Sequence, residues 1–318
     1  MRRSFVGLGL GLALGGCTID VGEEPPPPPT WGVPISGGTM TVSRDGNRAF
    51  VADPDRDRVY IVDLVAERLS ETIELAARSE PGRVIEDDAG RIHVGLRGSG
   101  ELLTITGTDR QLRYVCGEPR GLASQGELVH VACATGELIT LQAGGGDPTR
   151  ILRLERDLRD VIVRDTGLAV TTFRSAKVLQ LDEQGTLVGH LTPPTTSRSE
   201  FSFDTQPTIP AIPAVAWRTI ALPDGSMAIA HQRRLNTTLR IITGGYGGQC
   251  DSGMVESTLT FVGSDNTMFA AAPIMGASLP VDIAVSPTNG DIAVVSAGNL
   301  CKSSVNCSMA PSVFLVNR

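Results

Sequence analysis

Apolar and polar positions alternate along this chain in short paired runs, and the pairs repeat. The first is Thr39 to Asp53 (TMTVSRDGNRAFVAD), an apolar strand, an Asp-Gly-Asn turn and a second apolar strand. The same arrangement recurs from Gly82 to Leu96, Arg120 to Cys133, Arg159 to Thr172, Trp217 to His231 and Val281 to Ser296. The unit length is about 40 residues, with room for two further strands in each, which is the period of a β-propeller blade. The second strands are apolar at Ala49, Ile92, Val129, Leu168, Met227 and Ile292, and again two residues on at Val51, Val94, Val131, Val170, Ile229 and Val294. The column between them, Phe50, His93, His130, Ala169, Ala228 and Ala293, is also mostly apolar, as expected of strands buried on both faces. An all-β propeller of four-stranded antiparallel blades is therefore predicted over residues 39–318.

Six blades are recognisable. The sixth ends at a third strand, Ser312 to Asn317, and is incomplete. Because an open stack of sheets exposes apolar faces and unpaired edges, closure demands either a strand from the segment around Trp31 to Ile35 or a longer chain. The second solution implies a seven-fold ring. Two spacings exceed the period because of insertions at Thr192 to Pro213 and Gln232 to Gly253, and a third long loop runs from Ala297 to Pro311. All three are expected on one face, over blades five and six, where they form the candidate surface for a protein or small-molecule partner. The last column of the second strands mixes polar and apolar types on that face. With the glycine-flanked Tyr246 it nominates Asp53, Thr172, His231, Tyr246 and Ser296 as binding residues.

The first 38 residues carry a different signal. Arg2 and Arg3 precede an apolar run, Phe5 to Leu14, that is too short and glycine-rich for a membrane span and reads as a secretory signal over residues 1–16. The run ends in Leu14-Gly15-Gly16-Cys17, which resembles the bacterial lipobox, so Cys17 is the expected lipidation site. Residues 17–38 then form a tether whose five prolines, Pro25 to Pro29, favour stiff polyproline II. Thr18, rather than aspartate, follows the cysteine, which points to the outer membrane. Membrane attachment through lipid is thus expected.

Net charge is −7 and aromatics are only 4% of residues, which argues against nucleic acid as a partner. Beside Cys17 stand Cys116, Cys133, Cys250, Cys301 and Cys307, an odd five for an oxidising compartment. Cys116 with Cys133 would join two blades; Cys301 with Cys307 could close one loop, or Cys250 could bond either. These spacings fit no zinc site, and no C-x-x-C-H motif offers a haem site. Asp53-Pro54-Asp55-Arg56-Asp57 opens like a calcium loop, but Arg58 and Leu64 stand where the turn glycine and bidentate glutamate belong, so no metal is expected. No nucleophile elbow, P-loop or H-E-x-x-H occurs, and no catalytic residues are nominated. His93 and His130, sharing one column in adjacent blades, could meet as a pair.

The stretches VSRDGNRAFVAD, DPDRDRVYIVDL and LPVDIAVSPTNGDIAVV resemble the YVTN-type, quinoprotein-dehydrogenase-like β-propellers. With the lipobox and proline spacer, PRGLASQGELVHVACATGELITL is similar to bacterial envelope lipoproteins in which a propeller precedes a c-type cytochrome region. That resemblance implies a redox platform whose haem would lie wholly downstream of Arg318. The leading expectation is a lipid-anchored binding module without catalysis or cofactor of its own. The redox platform comes next, and a propeller hydrolase or lyase third.

Overall fold

The computed structural model describes residues 37–199, 208–236, 254–298 and 311–316. By its internal contacts the chain divides after Gly32, and all described residues belong to the second unit, Val33–Arg318. They form six antiparallel sheets and, among the described residues, no helix.

The first four sheets are four-stranded meanders in chain order. They comprise β1–β4 (Met40–Val42, Arg48–Asp53, Arg58–Asp63, Arg68–Glu74) and β5–β8 (Pro81–Glu86, Ile92–Leu96, Glu101–Thr106, Asp109–Tyr114). Next come β9–β12 (Pro119–Gln125, Leu128–Cys133, Glu137–Gln142, Pro148–Arg153) and β13–β16 (Leu158–Arg164, Gly167–Thr172, Val178–Leu181, Leu187–Leu191). Sheet five has five strands, β17–β21 (Thr196–Ser199, Thr208–Ala221, Met227–Leu235, Val255–Val262, Met268–Ala270). Sheet six has three among the described residues, β22–β24 (Pro280–Val285, Ile292–Ser296, Ser312–Val316).

The sequence explains this order. Asp-Gly, Asn-Gly and Gly turns with positive φ, such as Gly46 at 74° and Gly225 at 78°, reverse the chain where a side chain would strain. Strands apolar on both faces then need cover on both, and each sheet supplies it to the next. Phe50, Val59 and Ile61 of sheet one share a core with Ile92, Val94 and Leu103 of sheet two, and four more clusters join successive sheets as far as five and six. Outer strands have only one covered face, which leaves Leu69, Leu112, Ile151 and Leu187 exposed.

The ring closes with six sheets; the seven-fold count is the expectation for a longer chain. A Cβ added to Gly37 would lie 1.8 Å from the Val281 carbonyl oxygen, and the Gly38 N–H donates to Asp282 Oδ2 at 2.8 Å, so the start of sheet one abuts the inner strand of sheet six. The Trp31 to Ile35 segment lies outside the described residues. Among the described residues this sixth joint differs from the other five, because it is made by backbone and Asp282 while Met40 and Val42 remain 58% and 47% exposed.

Sheets two and three carry a covalent joint as well. Cys116, just after β8, is bonded to Cys133 at the end of β10, with a Cα separation of 6.3 Å, and both are buried. Closing 17 residues of chain stabilises by roughly 3 kcal/mol in the loop-entropy picture. Cys17, Cys250, Cys301 and Cys307 lie outside the described residues.

The strand histidines belong to the sheets. His93 Nε2 donates to Asp87 at 2.9 Å, and its Nδ1 lies 3.0 Å from the hydroxyl of Thr104, its cross-strand partner. His130 repeats the device, with Thr140 at 3.0 Å and Gln125 Oε1 at 3.2 Å. Each is therefore satisfied inside its own sheet, and the two do not pair with each other. Burial pulls His130 and His231 down to about 4, and burial outweighs the Asp87 contact to lower His93 as well. Between about pH 6.5 and about pH 4 the unfolded chain therefore takes up protons that the folded chain refuses, and stability falls as pH falls. Each of His130 and His231 accounts for on the order of 3 kcal/mol at most. Urea midpoints at about pH 7 and about pH 4 should show the loss, and flat midpoints across that interval would contradict it.

Candidate functional site

Five of the six inner strands carry a bulge, just after the start in four of them and within the long β18 in sheet five. The register slips between Pro81 and Val84, at Cys133 opposite Pro119, between Leu158 and Val161, between Ala216 and Arg218, and between Pro280 and Asp282. A bulge re-aims the side chain it contains. Here it sets Arg83, Gly121, Asp160 and Asp282, each two residues after its strand start, and Arg218, which follows the Ala216 slip in β18, at one level, with Gly38 completing the ring in sheet one.

The charged members pair around that level. Asp160 Oδ1 accepts from Arg83 Nη2 and, at 3.0 Å, from Arg218 Nη1; its Oδ2 accepts the Thr219 N–H at 2.7 Å. Arg218 Nε reaches Asp282 Oδ1 at 3.1 Å, and Arg83 Nη1 donates to the Gly37 carbonyl at 3.0 Å. Arg83 and Asp160 are 1% and 2% exposed, so both charges have left water entirely. Burial drives the Arg83 guanidinium down to about 10. Burial acts to raise Asp160, but Arg83, Arg218, Arg159 and the Thr219 amide outweigh it and hold the carboxyl below its ordinary value. Two arginines against two aspartates make the ring neutral.

Two glycines make the pairing possible. A Cβ on Gly121 would lie 2.6 Å from the Arg159 carbonyl oxygen, and one on Gly38 (φ 73°) would lie 1.3 Å from Arg83 Nη1. Gly121 lets β13 approach sheet three closely, and Gly38 leaves room for the Arg83 side chain, which reaches from sheet two to Asp160 of sheet four. The result is a polar layer that fills the axis at this depth.

Immediately above it, toward the face where the inner strands begin, the residues are basic and aromatic. Arg159 is 8% exposed; its Nε donates to the Trp217 carbonyl at 2.9 Å and its guanidinium lies 5.1 Å from the Phe173 ring centre. Arg120 lies 5.6 Å from the same ring and is held by Asp157 and Glu118. Trp217 meets Phe173 edge-on at 5.2 Å, and its indole N–H donates to Gln232 Oε1 at 3.2 Å. Arg97 lies across Gly82, and its Nε is buried with no hydrogen-bond partner. Burial, then repulsion from Arg120, Arg218 and Arg97 against the one opposing charge of Asp160, lowers the Arg159 pKa.

The residues nominated from the sequence sit elsewhere in the sheets. Thr172 and Ser296 are buried, the first bonded to Ser175 and the second accepting the Ser278 and Leu279 N–H groups. His231 is fully buried between the Gln232 carbonyl and Thr260 Oγ1. Asp53 is half-buried and caps its own turn through the Asp55 and Arg56 amides. Tyr246 lies outside the described residues. The axial residues were missed, although the repeats contain them: in GRV, RGL, RDV, WRT and VDI the middle position is the one column of inner strands that is charged or glycine.

Part of the first insertion is strand rather than loop. β17 pairs with the start of β18, and that start pairs with the end of β19 at Ala211–Leu235, so sheet five is prolonged beyond the ring on the face carrying the arginines. A recess of about 440 Å³ lies against this extension, lined by Thr196, Arg198, Arg233, Glu256, Ala272 and Met275. Arg233 at its floor is buried and committed to Glu256, Thr258 and the Ala271 carbonyl.

No family model matches the chain, and no curated protein matches it in sequence. Solved structures do resemble it in fold. Hydrazine synthase of Kuenenia stuttgartiensis matches with a TM-score of 0.63 and 15% identity, over 83% of this chain and 78% of that one. A chain of the mitotic checkpoint complex gives 0.56 and 12% over 81% and 71%, and virginiamycin B lyase of Staphylococcus aureus gives 0.52 and 11% over 81% and 90%. At such identities the shared property is the β-propeller itself.

Removing one partner from a buried ionic network leaves the others uncompensated. Asp160→Asn should therefore cost about 3–5 kcal/mol of unfolding free energy in denaturant titration, far more than Asp88→Asn, which loses only an exposed pair with Arg44. Equal effects from the two substitutions would remove the ring from its structural role.

Proposed function

We propose that this protein is a lipid-anchored propeller of the cell envelope that binds a partner on the arginine-bearing face and performs no chemistry of its own. The observation that carries the binding half is the filled axis. Asp160 and Asp282, the carboxylates nearest the mouth's floor, are engaged by arginines, and three of the four histidines are buried in strands with partners. His190, the fourth, is on the outer strand β16, paired with Leu179 in register and remote from the inner strands. General acid–base work needs a group that can take and release a proton beside a substrate. Arginine does not serve, and the arginines around Asp160 hold its carboxyl below its ordinary value. One structural neighbour is a lyase, virginiamycin B lyase, so the fold accommodates such chemistry; the residues at this mouth favour recognition instead.

The anchor half rests on Cys17 behind Leu14-Gly15-Gly16, and on the five prolines that follow. A buried Cys116–Cys133 disulfide agrees with an oxidising compartment. Several acyl chains on one cysteine give durable attachment, where a single chain would not.

Labelled palmitate should enter the full-length protein in cells and be lost in Cys17→Ser, with the protein moving from the membrane fraction to the soluble one. Label retained by the variant would remove the anchor. Purified protein should show no turnover above a protein-free blank on lactone and ester panels. Turnover that copurifies with it and disappears in Arg159→Gln would replace the binding reading with an enzymatic one.

A further inference from the structure

Resting on that reading of the mouth as a recognition surface, we infer that Arg97, Arg120 and Arg159 form an oxyanion site, built for a ligand's carboxylate or phosphate group. The three come from different places in the repeat. Arg97 follows β6, Arg120 follows the first residue of β9, and Arg159 follows the first residue of β13. Three sheets therefore deliver cations to one spot, and folding has gathered them at an electrostatic cost that only a counter-charge relieves.

The charge balance identifies what is missing. In the layer below, each arginine has its aspartate, so that layer is balanced in charge. In the mouth, Arg120 is met by Asp157 and Glu118, but Arg159 uses only Nε, on a carbonyl, and its two terminal nitrogens make no hydrogen bond among the described residues. Arg97 forms no ion pair among the described residues, and its Nε is out of contact with both water and any acceptor. Buried polar groups almost always have partners. A guanidinium offers five donors in a plane, a geometry that suits the paired oxygens of a carboxylate or phosphate.

The surroundings hold the donors in place. Phe173 provides a ring beside which both Arg159 and Arg120 lie, and Trp217 braces that ring edge-on while its own N–H is taken by Gln232. Gln232 in turn donates from Nε2 to the Ser278 carbonyl at 2.6 Å, linking the site to sheet six. An oxyanion arriving here meets fixed donors and needs little rearrangement of the protein, which is the condition for useful affinity. The indole and phenyl edges would meet an apolar portion of the same ligand.

The test uses the full-length protein in detergent, titrated calorimetrically with inorganic phosphate and, separately, with acetate at matched ionic strength. Saturable binding of at least one is expected, and the stronger of the two identifies the phosphate or carboxylate source. Arg97→Gln and Arg159→Gln should each weaken it by about tenfold or more, the cost of losing a charge-assisted hydrogen bond. Arg97→Gln removes no hydrogen bond or ion pair to the described residues, only packing across Gly82, so its fold is expected to persist; Arg44→Gln, on a remote exposed pair, should bind as the wild type does. No saturable binding of either anion, or undiminished binding by Arg97→Gln, overturns the oxyanion site. That failure is separable from failure of the binding-module reading, which only copurifying turnover on the substrate panels would bring about.

Discussion

A single carboxylate, Asp160, ties three sheets together at the centre of this propeller. It sits on sheet four, accepts from an arginine of sheet two and an arginine of sheet five, and takes the backbone N–H of Thr219 as well. In an interior of low effective dielectric neither sign is tolerable alone. The inner strands must therefore arrive with their bulges in step, since a one-residue slip would turn Arg83 or Arg218 away from the axis. Apolar packing between sheets favours the ring in general, whereas this ionic layer fixes how deep each blade sits in it.

Most of the architecture was legible in the sequence because propeller strands obey local rules. Apolar runs bounded by Asp, Asn and Gly mark hairpins whatever surrounds them. The second strands at Arg48–Asp53, Ile92–Leu96, Leu128–Cys133 and Gly167–Thr172 end within a residue of where the repeat places them. The number of blades was not legible in the same way, because closure depends on the angle between sheets and on which surfaces meet across the last joint. Gly37 and Gly38 determine that joint, and nothing in their neighbourhood of the sequence distinguishes them from tether glycines.

The axial residues show the opposite pattern. Reading the end of the second strand nominated Thr172, His231 and Ser296, which turned out to be internal, since a polar residue at a strand end can be satisfied by its own turn or by a neighbouring strand. The axial column was one strand earlier, where four charges and one glycine stand at Arg83, Gly121, Asp160, Arg218 and Asp282. A charge flanked by apolar strand residues at the same place in successive repeats must be neutralised by another repeat. Pairing between repeats cannot be read from spacing, yet the column's opposite signs already implied it. The Cys116–Cys133 bond was foreseeable for the same reason: both cysteines stand at strand ends that adjacent blades bring side by side.

The joint between sheets six and one has a mechanical meaning. Five interfaces are lined with continuous apolar clusters, whereas among the described residues this one depends on Gly37, Gly38 and Asp282. Local opening follows the least buried contacts. The ring is therefore hinged like a clasp bracelet: breathing starts at the clasp and travels first into sheet six, whose last described strand leaves Val313 and Leu315 uncovered. Sheets two and three, locked by a covalent bond, would be the last to part.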